Sequence, residues 1–212
     1  CGPPPSGDMR SLQGWTVSKP LVQPSGAVLL PFTKIGVFIQ SHERQWVLRS
    51  ENILTEPVPA KVTWTTWPSG DGGATQGCGP VDLAGDIAEE GGLLSLGGSN
   101  VLFIFRTANG NVNECVSRDD GRSWVPRPVR FTGGGGGALK NPRGPITARQ
   151  TSAGDYVMLF FNNGWKGYSG AANSTRNPYF LTVGRLVPAG DDIVWAQPEV
   201  ALYGRGWLDG AL

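Results

Sequence analysis

Apolar residues in this chain come in short runs rather than at helical spacing. The runs "AVLLPF", "IGVFIQ", "RQWVLRS", "GLLSL", "NVLFIFRT", "NECVSR", "PITARQ", "YVMLFFNN" and "YFLTVGRL" are rich in β-branched and aromatic residues. Each is bounded by Gly, Pro, Asn or Asp, the residues that supply turn geometry, so the pattern predicts one hairpin after another. The expected class is an all-β meander.

A longer period runs beneath the strands. Each unit has an apolar strand, a turn, a second apolar strand ending in Arg or Ser, a polar loop, and then a Trp. Trp64, Trp124 and Trp195 recur roughly 60 to 70 residues apart, an interval that suits propeller blades carrying long insertions. Residues 1–26 are expected to be an N-terminal extension or a strand entering the propeller, and 27–212 its blades. The chain would supply about three to four blades. That number does not close a ring, so other segments or other chains would complete it. The one low-complexity stretch, "TGGGGGALKNP", is read as a flexible surface connection; no Lys-Ser or Lys-Thr follows it, as a phosphate loop requires.

Composition narrows the classes of partner. The chain has 212 residues, 18 Lys plus Arg against 17 Asp plus Glu, and a net charge of +1. Bulk attraction to nucleic acid or to an anionic membrane is therefore not expected, and any anion must be held by a local cluster. Gly and Pro are abundant, at 32 and 17, but eight Trp and eight Phe argue for a packed core. No apolar run is long enough for a membrane-spanning helix. No charged-then-apolar leader opens the chain, so it reads as soluble, or as a mature product whose leader has gone.

Cys1, Cys78 and Cys115 allow at most one internal disulfide and lack the spacing of a zinc site. Cys115 lies within a strand and is read as a buried free thiol. Asn173 to Thr175 form a glycosylation acceptor triplet if the chain is secreted. His42, the only histidine, is read as a surface residue. No metal or organic cofactor is signalled.

The densest packet of polar chemistry is "CVSRDDGRSW", Cys115 to Trp124. Asp119 and Asp120 resemble a catalytic acid and base, but Ser117, Asp119, Gly121, Ser123 and Trp124 match the pattern Ser-x-Asp-x-Gly-x-Thr/Ser-Trp, the Asp box. In that motif the carboxylate accepts backbone N–H bonds, the Gly supplies a positive φ, and the Trp packs between sheets. The packet is read as a turn clasp. "SEN" with a Trp in the first unit, and "GDDIVW" in the last, are degenerate copies.

Around this box the chain resembles the sialidase (neuraminidase) superfamily. The run "EEGGLLSLGGSNVLFIFRTANGNVNECVSRDDGRSW" is similar to one in which a Glu opens a strand, an apolar strand ends in Arg, and an Asp box follows. "RNPYFLTVGR" and "IVWAQPEVALY" are similar to later segments of that superfamily. The resemblance implies a sialidase-like β-propeller, six-bladed when complete, with the box on its outer rim. It implies that Glu90 assists a tyrosine nucleophile and that Arg106 and Arg176 grip a sugar carboxylate, a task suited to the planar guanidinium fork.

Arg143 is a further anion-contact candidate, with a turn-fixing surface role as its alternative. Trp165 and Tyr168 are candidate sugar-stacking platforms. For Glu90 the structural alternative is a strand cap; for Arg106 and Arg176 it is stacking on tryptophans at the rim. The chain departs from the family pattern in placing Trp207 where the tyrosine falls. It offers only Asp8 and Arg10 for the acid and the first arginine.

The reading is a sialidase-like glycoside hydrolase acting on sialic acid or a related acidic sugar, without a cofactor, secreted or extracellular, with a glycan as partner. The alternatives are a non-catalytic propeller that binds glycans or proteins, and a purely structural extracellular module.

Overall fold

A computed structural model of the chain describes residues 13–35, 44–67, 88–129, 131, 138–164 and 176–203. Trp165, Tyr168, Trp207, His42, Asp8, Arg10, Cys1, Cys78, the triplet at 173–175 and the glycine run all lie outside these residues. The regular secondary structure of the described residues is β-strand apart from a single 3₁₀ turn at Pro59–Lys61.

Three antiparallel sheets follow one another along the sequence. The first contains β1 (Gln13–Trp15), β2 (Leu21–Val22), β3 (Val28–Ile35), β4 (Arg44–Ser50) and β5 (Thr65–Trp67). The second is a four-stranded meander of β6 (Ala88–Gly97), β7 (Asn100–Thr107), β8 (Asn113–Ser117) and β9 (Val125–Pro128). The third contains β10 (Thr147–Gln150), β11 (Tyr156–Phe160), β12 (Tyr179–Leu186), β13 (Ile193–Trp195) and β14 (Glu199–Leu202). β1 and β2 both pair with β3, and β13 and β14 both pair with β12, so each couple forms one interrupted edge. All three sheets thus have four strand positions. Among the described residues they do not close into a ring.

The second sheet lies between the other two, and the alternation of β7 explains how. Val101, Phe103 and Phe105 pack with Leu29 and Val47 of the first sheet. Leu102 and Ile104 pack with Tyr156, Met158, Phe160 and Trp195 of the third. A strand buried on both faces has no polar positions to alternate with, and hence reads as the unbroken run "VLFIF".

The turn after β8 is closed by Asp119. Its Oδ1 accepts from the Ser117 hydroxyl at 2.7 Å and from the Ser123 N–H at 2.8 Å, and its Oδ2 accepts from the Ser123 hydroxyl at 2.6 Å. Trp124 packs against Phe103, with ring centroids 5.4 Å apart. The first sheet repeats this device across a longer loop. Asn52 Oδ1 accepts from the Ser50 hydroxyl at 3.3 Å and from the Thr63 N–H at 3.0 Å, immediately before Trp64. The three repeating tryptophans are nevertheless not equivalent: Trp195 is fully buried, Trp124 half-buried, and Trp64 exposed.

Two expectations need correction here. Cys115, fully buried in β8, is disulfide-bonded rather than a free thiol; its partner lies outside the described residues. Asp120, adjacent to the turn clasp, belongs neither to it nor to a catalytic pair. Its Oδ2 receives the buried Arg49 guanidinium at 3.2 Å and the Ser25 hydroxyl at 2.6 Å, which bolts the turn to the first sheet. The opposite side of the second sheet is fastened to the third by Arg127, which pairs with Asp192 and donates to the Asp191 carbonyl at 2.6 Å.

Candidate functional site

Strand β6 starts regularly, with Glu89 opposite Arg106, and resumes with Gly92 opposite Ile104. Between these pairs the register shifts, and Glu90 has a φ of 52°. This is a β-bulge with a non-glycine residue in the left-handed region, a conformation that the surroundings must hold in place. The bulge explains a contact that regular alternation forbids. Successive strand residues point to opposite faces, yet Glu89 and Glu90 both reach Arg106. Arg106 Nη2 is 2.8 Å from Glu89 Oε2, and its Nε is 3.2 Å from Glu90 Oε2.

Arg143 arrives from the loop between β9 and β10, with its Nε 2.5 Å from Glu89 Oε1. The fully buried Asn141 shapes that loop. Its Nδ2 donates to the carbonyls of Pro142 and Gly144 at 2.7 and 2.9 Å, and its Oδ1 accepts from the Phe161 N–H at 3.1 Å. Arg176 closes the cluster by donating from Nη2 to the Arg143 carbonyl at 2.5 Å. At Gly144 a methyl group would fall 2.7 Å from Phe161 and 3.5 Å from Arg176 Nε, so the loop can approach this closely only with glycine there.

Glu90, Arg106, Arg143 and Arg176 therefore converge, although they are spread over 87 positions of sequence (176 minus 90, inclusive). Arg143 is not a turn-fixing surface residue; its side chain is 12% exposed and ion-paired. Neither Glu90 nor Arg106 plays the bland role considered for it: Glu90 sits in a bulge rather than capping a strand, and Arg106 is engaged by two carboxylates. Sequence reading missed Glu89. It is nearly fully buried between Arg106 and Arg143, and the adjacent pair "EE" ahead of an apolar strand was its signal.

Arg106 and Arg143 thus pair with the two carboxylates, and Arg176 joins them through the Arg143 carbonyl. Burial, and after it the neighbouring Arg106, push the Arg176 guanidinium below its ordinary value, with Arg143 acting in the same sense and Glu90 and Glu89 opposing. Among the described residues the cluster brings together three guanidinium groups, whose planar forks suit a carboxylate ligand. Beside it lies a pocket of about 210 Å³ whose wall includes Glu90, Ser18, Ile104, Ile146, Thr147 and Arg149. Its surface is more apolar than polar, with Glu90 linking it to the guanidinium cluster. Among the described residues no group of three or more His, Cys, Asp or Glu is placed to hold a metal ion, and no helix is long and apolar enough to cross a membrane.

No family model matches the chain, and no curated relative matches it by sequence. Solved structures do match its fold. The NanB sialidase of Streptococcus pneumoniae aligns over 86% of this chain with a TM-score of 0.52 and 18% identity. A leech intramolecular trans-sialidase aligns over 84% with a TM-score of 0.51 and 15% identity. A β-xylosidase, RS223, aligns over 85% with a TM-score of 0.50 and 12% identity. The chain spans 23% of the NanB structure, 22% of the leech enzyme and 57% of the β-xylosidase. At these identities the likeness is one of fold: antiparallel sheets arranged as in part of a sialidase β-propeller.

Proposed function

We propose that this chain carries part of an acidic-sugar site of a sialidase-like glycoside hydrolase, with Arg106, Arg143 and Arg176 binding the sugar carboxylate and Glu90 assisting the nucleophile. The observation that carries the reading is the grouping of Arg106 and Arg143, paired with Glu89 and Glu90, with Arg176 held on the Arg143 carbonyl, beside a pocket. The planar guanidinium forks bind a carboxylate and fix its orientation. Glu89 holds Arg106 and Arg143 in place from beneath. Glu90, at the border of cluster and pocket, lies where a carboxylate can take a proton from a nucleophile on the sugar side. The likeness to sialidases supports the fold; the residues support the chemistry.

A fluorogenic sialoside tests the reading, with free sialic acid titrated in parallel. Glu90→Gln is expected to lower hydrolysis by roughly 100-fold or more while the sugar still binds. Arg176→Ala is expected to weaken binding as well, and should fold, because Arg176 is held by a backbone carbonyl and its loss strands no buried carboxylate. Hydrolysis unchanged by both substitutions would remove these residues from the site. Binding without hydrolysis would favour the second reading, a non-catalytic glycan-binding propeller, which Trp207 supports by standing where the tyrosine is expected.

The same reading has the propeller completed by further sheets, from other segments or other chains. Exposed apolar residues on the third sheet support this: Val183 and Val194 alternate with the buried Gly184 and Trp195, and Val200 and Leu202 are more than half exposed. An extracellular location fits the disulfide at Cys115, since such bonds persist in oxidising compartments.

A further inference from the structure

Two buried polar residues of the first sheet have no part in the site as described so far. Thr33 and Gln45 are cross-strand partners on β3 and β4, both inaccessible to solvent, on strands otherwise rich in apolar side chains. Burying a hydroxyl and an amide costs free energy unless both are hydrogen-bonded. Their bonds lead to the Glu90 bulge. Thr33 Oγ1 accepts from the Glu90 N–H at 3.0 Å, and Gln45 Oε1 accepts from the Gly91 N–H at 3.2 Å. Gln45 Nε2 donates to Thr33 Oγ1 at 2.7 Å and to the Ala88 carbonyl at 3.0 Å. Ser18 completes the arrangement by donating to the Gly91 carbonyl at 2.6 Å.

The bulge takes these two N–H groups out of the β6–β7 ladder, and side chains from a different sheet supply the acceptors. Space around Gly91 leaves little alternative: a methyl group there would fall 2.3 Å from the Phe103 ring and 2.9 Å from Gln45 Oε1. Without the bulge Glu90 would point to the face opposite Glu89 and lose Arg106.

We infer that Thr33 and Gln45 are positioning residues: they hold the backbone of Glu90 in its left-handed conformation and thereby aim its carboxylate at Arg106 and the pocket. The functional consequence rests on the reading proposed above, whereas the clamp itself does not. A displacement of about 1 Å at a reacting group can lower a rate by on the order of 100-fold, so the effect should appear in kcat rather than in KM.

The isosteric Thr33→Val removes the acceptor without opening a cavity, and Thr33→Ser keeps it. Amide hydrogen exchange in the full chain tests the clamp without any activity. The Glu90 and Gly91 amides should exchange at least about tenfold faster in Thr33→Val than in the wild type, with the Phe103 amide unchanged and Thr33→Ser close to wild type. Unchanged exchange at Glu90 overturns the inference. Sialoside hydrolysis tests the consequence. Thr33→Val should lower kcat roughly 10- to 100-fold with little change in KM, Thr33→Ser should recover most of the loss, and in a Glu90→Gln background Thr33→Val should cost nothing further. Equal losses in both backgrounds would show that Thr33 does not act through Glu90. If the wild type hydrolyses no sialoside, the functional reading fails, and amide exchange together with the Glu90 carboxyl resonance, shifted in Thr33→Val and not in Thr33→Ser, still decides the clamp.

Discussion

Single residues show how differently carboxylates behave within one fold. Burial alone would raise Asp119, but hydrogen bonds from Ser123, Ser117 and the Arg122 N–H outweigh it and hold the group below its ordinary value. Glu114, buried in β8, goes the other way. Burial dominates, Asp192 adds repulsion, and the attraction of Arg127 only partly offsets them, so its value is pushed up to about 8. One of its oxygens, Oε2, has no hydrogen-bond partner. The sign follows from linkage: a group raised in the folded state holds a proton that the unfolded chain releases, so its stabilising contribution is complete below about pH 4.5 and is lost as the pH rises through about 8. Glu114→Gln keeps a neutral side chain of the same shape. Its melting temperature should match the wild type near pH 4.5 and exceed it by a growing margin toward pH 8, as differential scanning calorimetry would measure; a constant offset would contradict the assignment.

At the level of elements, neighbouring aspartates in one turn do unrelated work. Asp119 clasps its own hairpin, whereas Asp120 fastens that hairpin to the first sheet through Arg49. Replacing Asp120 by Ala removes one of two carboxylates from the 2%-exposed Arg49 guanidinium, which keeps Glu51 at 2.7 Å and the carbonyl of residue 120, so a loss of roughly 2–3 kcal/mol is expected. Asp119→Ala removes bonds from a partly exposed turn, and roughly 1–2 kcal/mol is expected. Urea denaturation of both variants checks the order. Neither change touches the guanidinium cluster, so sugar binding by the folded fraction should persist. The first sheet makes the same point about elements: Ser50, Asn52 and Thr63 rebuild the clasp around a loop lengthened by seven residues, since Asn52 to Thr63 spans eleven positions and Asp119 to Ser123 four. Local sequence similarity cannot detect a motif divided in this way, but hydrogen-bond geometry can.

For the whole molecule, stability depends on sheets leaning on one another, because no single four-stranded sheet here encloses a core. The cores lie between sheets one and two and between sheets two and three. The disulfide at Cys115 originates in the middle sheet, where both cores meet. Titration of the denatured, unreduced chain should find one free thiol, since the chain has three cysteines and one disulfide takes two. Reduction should lower the melting temperature, consistent with the 2–5 kcal/mol or so that a native disulfide contributes in small extracellular domains. Three free thiols before reduction would show that the bond does not form.

The β class, the hairpin order, the hydrogen-bonding residues of the Asp119 turn and the family of folds to which the sheets are similar were all legible along the chain. These are local properties: alternation, turn residues and short motifs act between neighbours in the chain. Glu90, Arg106, Arg143 and Arg176 were each legible as candidates, through resemblance and through their positions at strand ends and loops. That they meet, that Glu89 is their buried counter-ion, that Cys115 is bonded, and that Thr33 and Gln45 support the bulge emerge only in the folded chain. The physical reason is common to all of these. A buried charge or a displaced N–H must find its partner wherever the fold brings one near, and here the partners stand on a neighbouring strand, a loop or another sheet, 16 to 57 positions away: 106 minus 90 for the nearest, 90 minus 33 for the farthest.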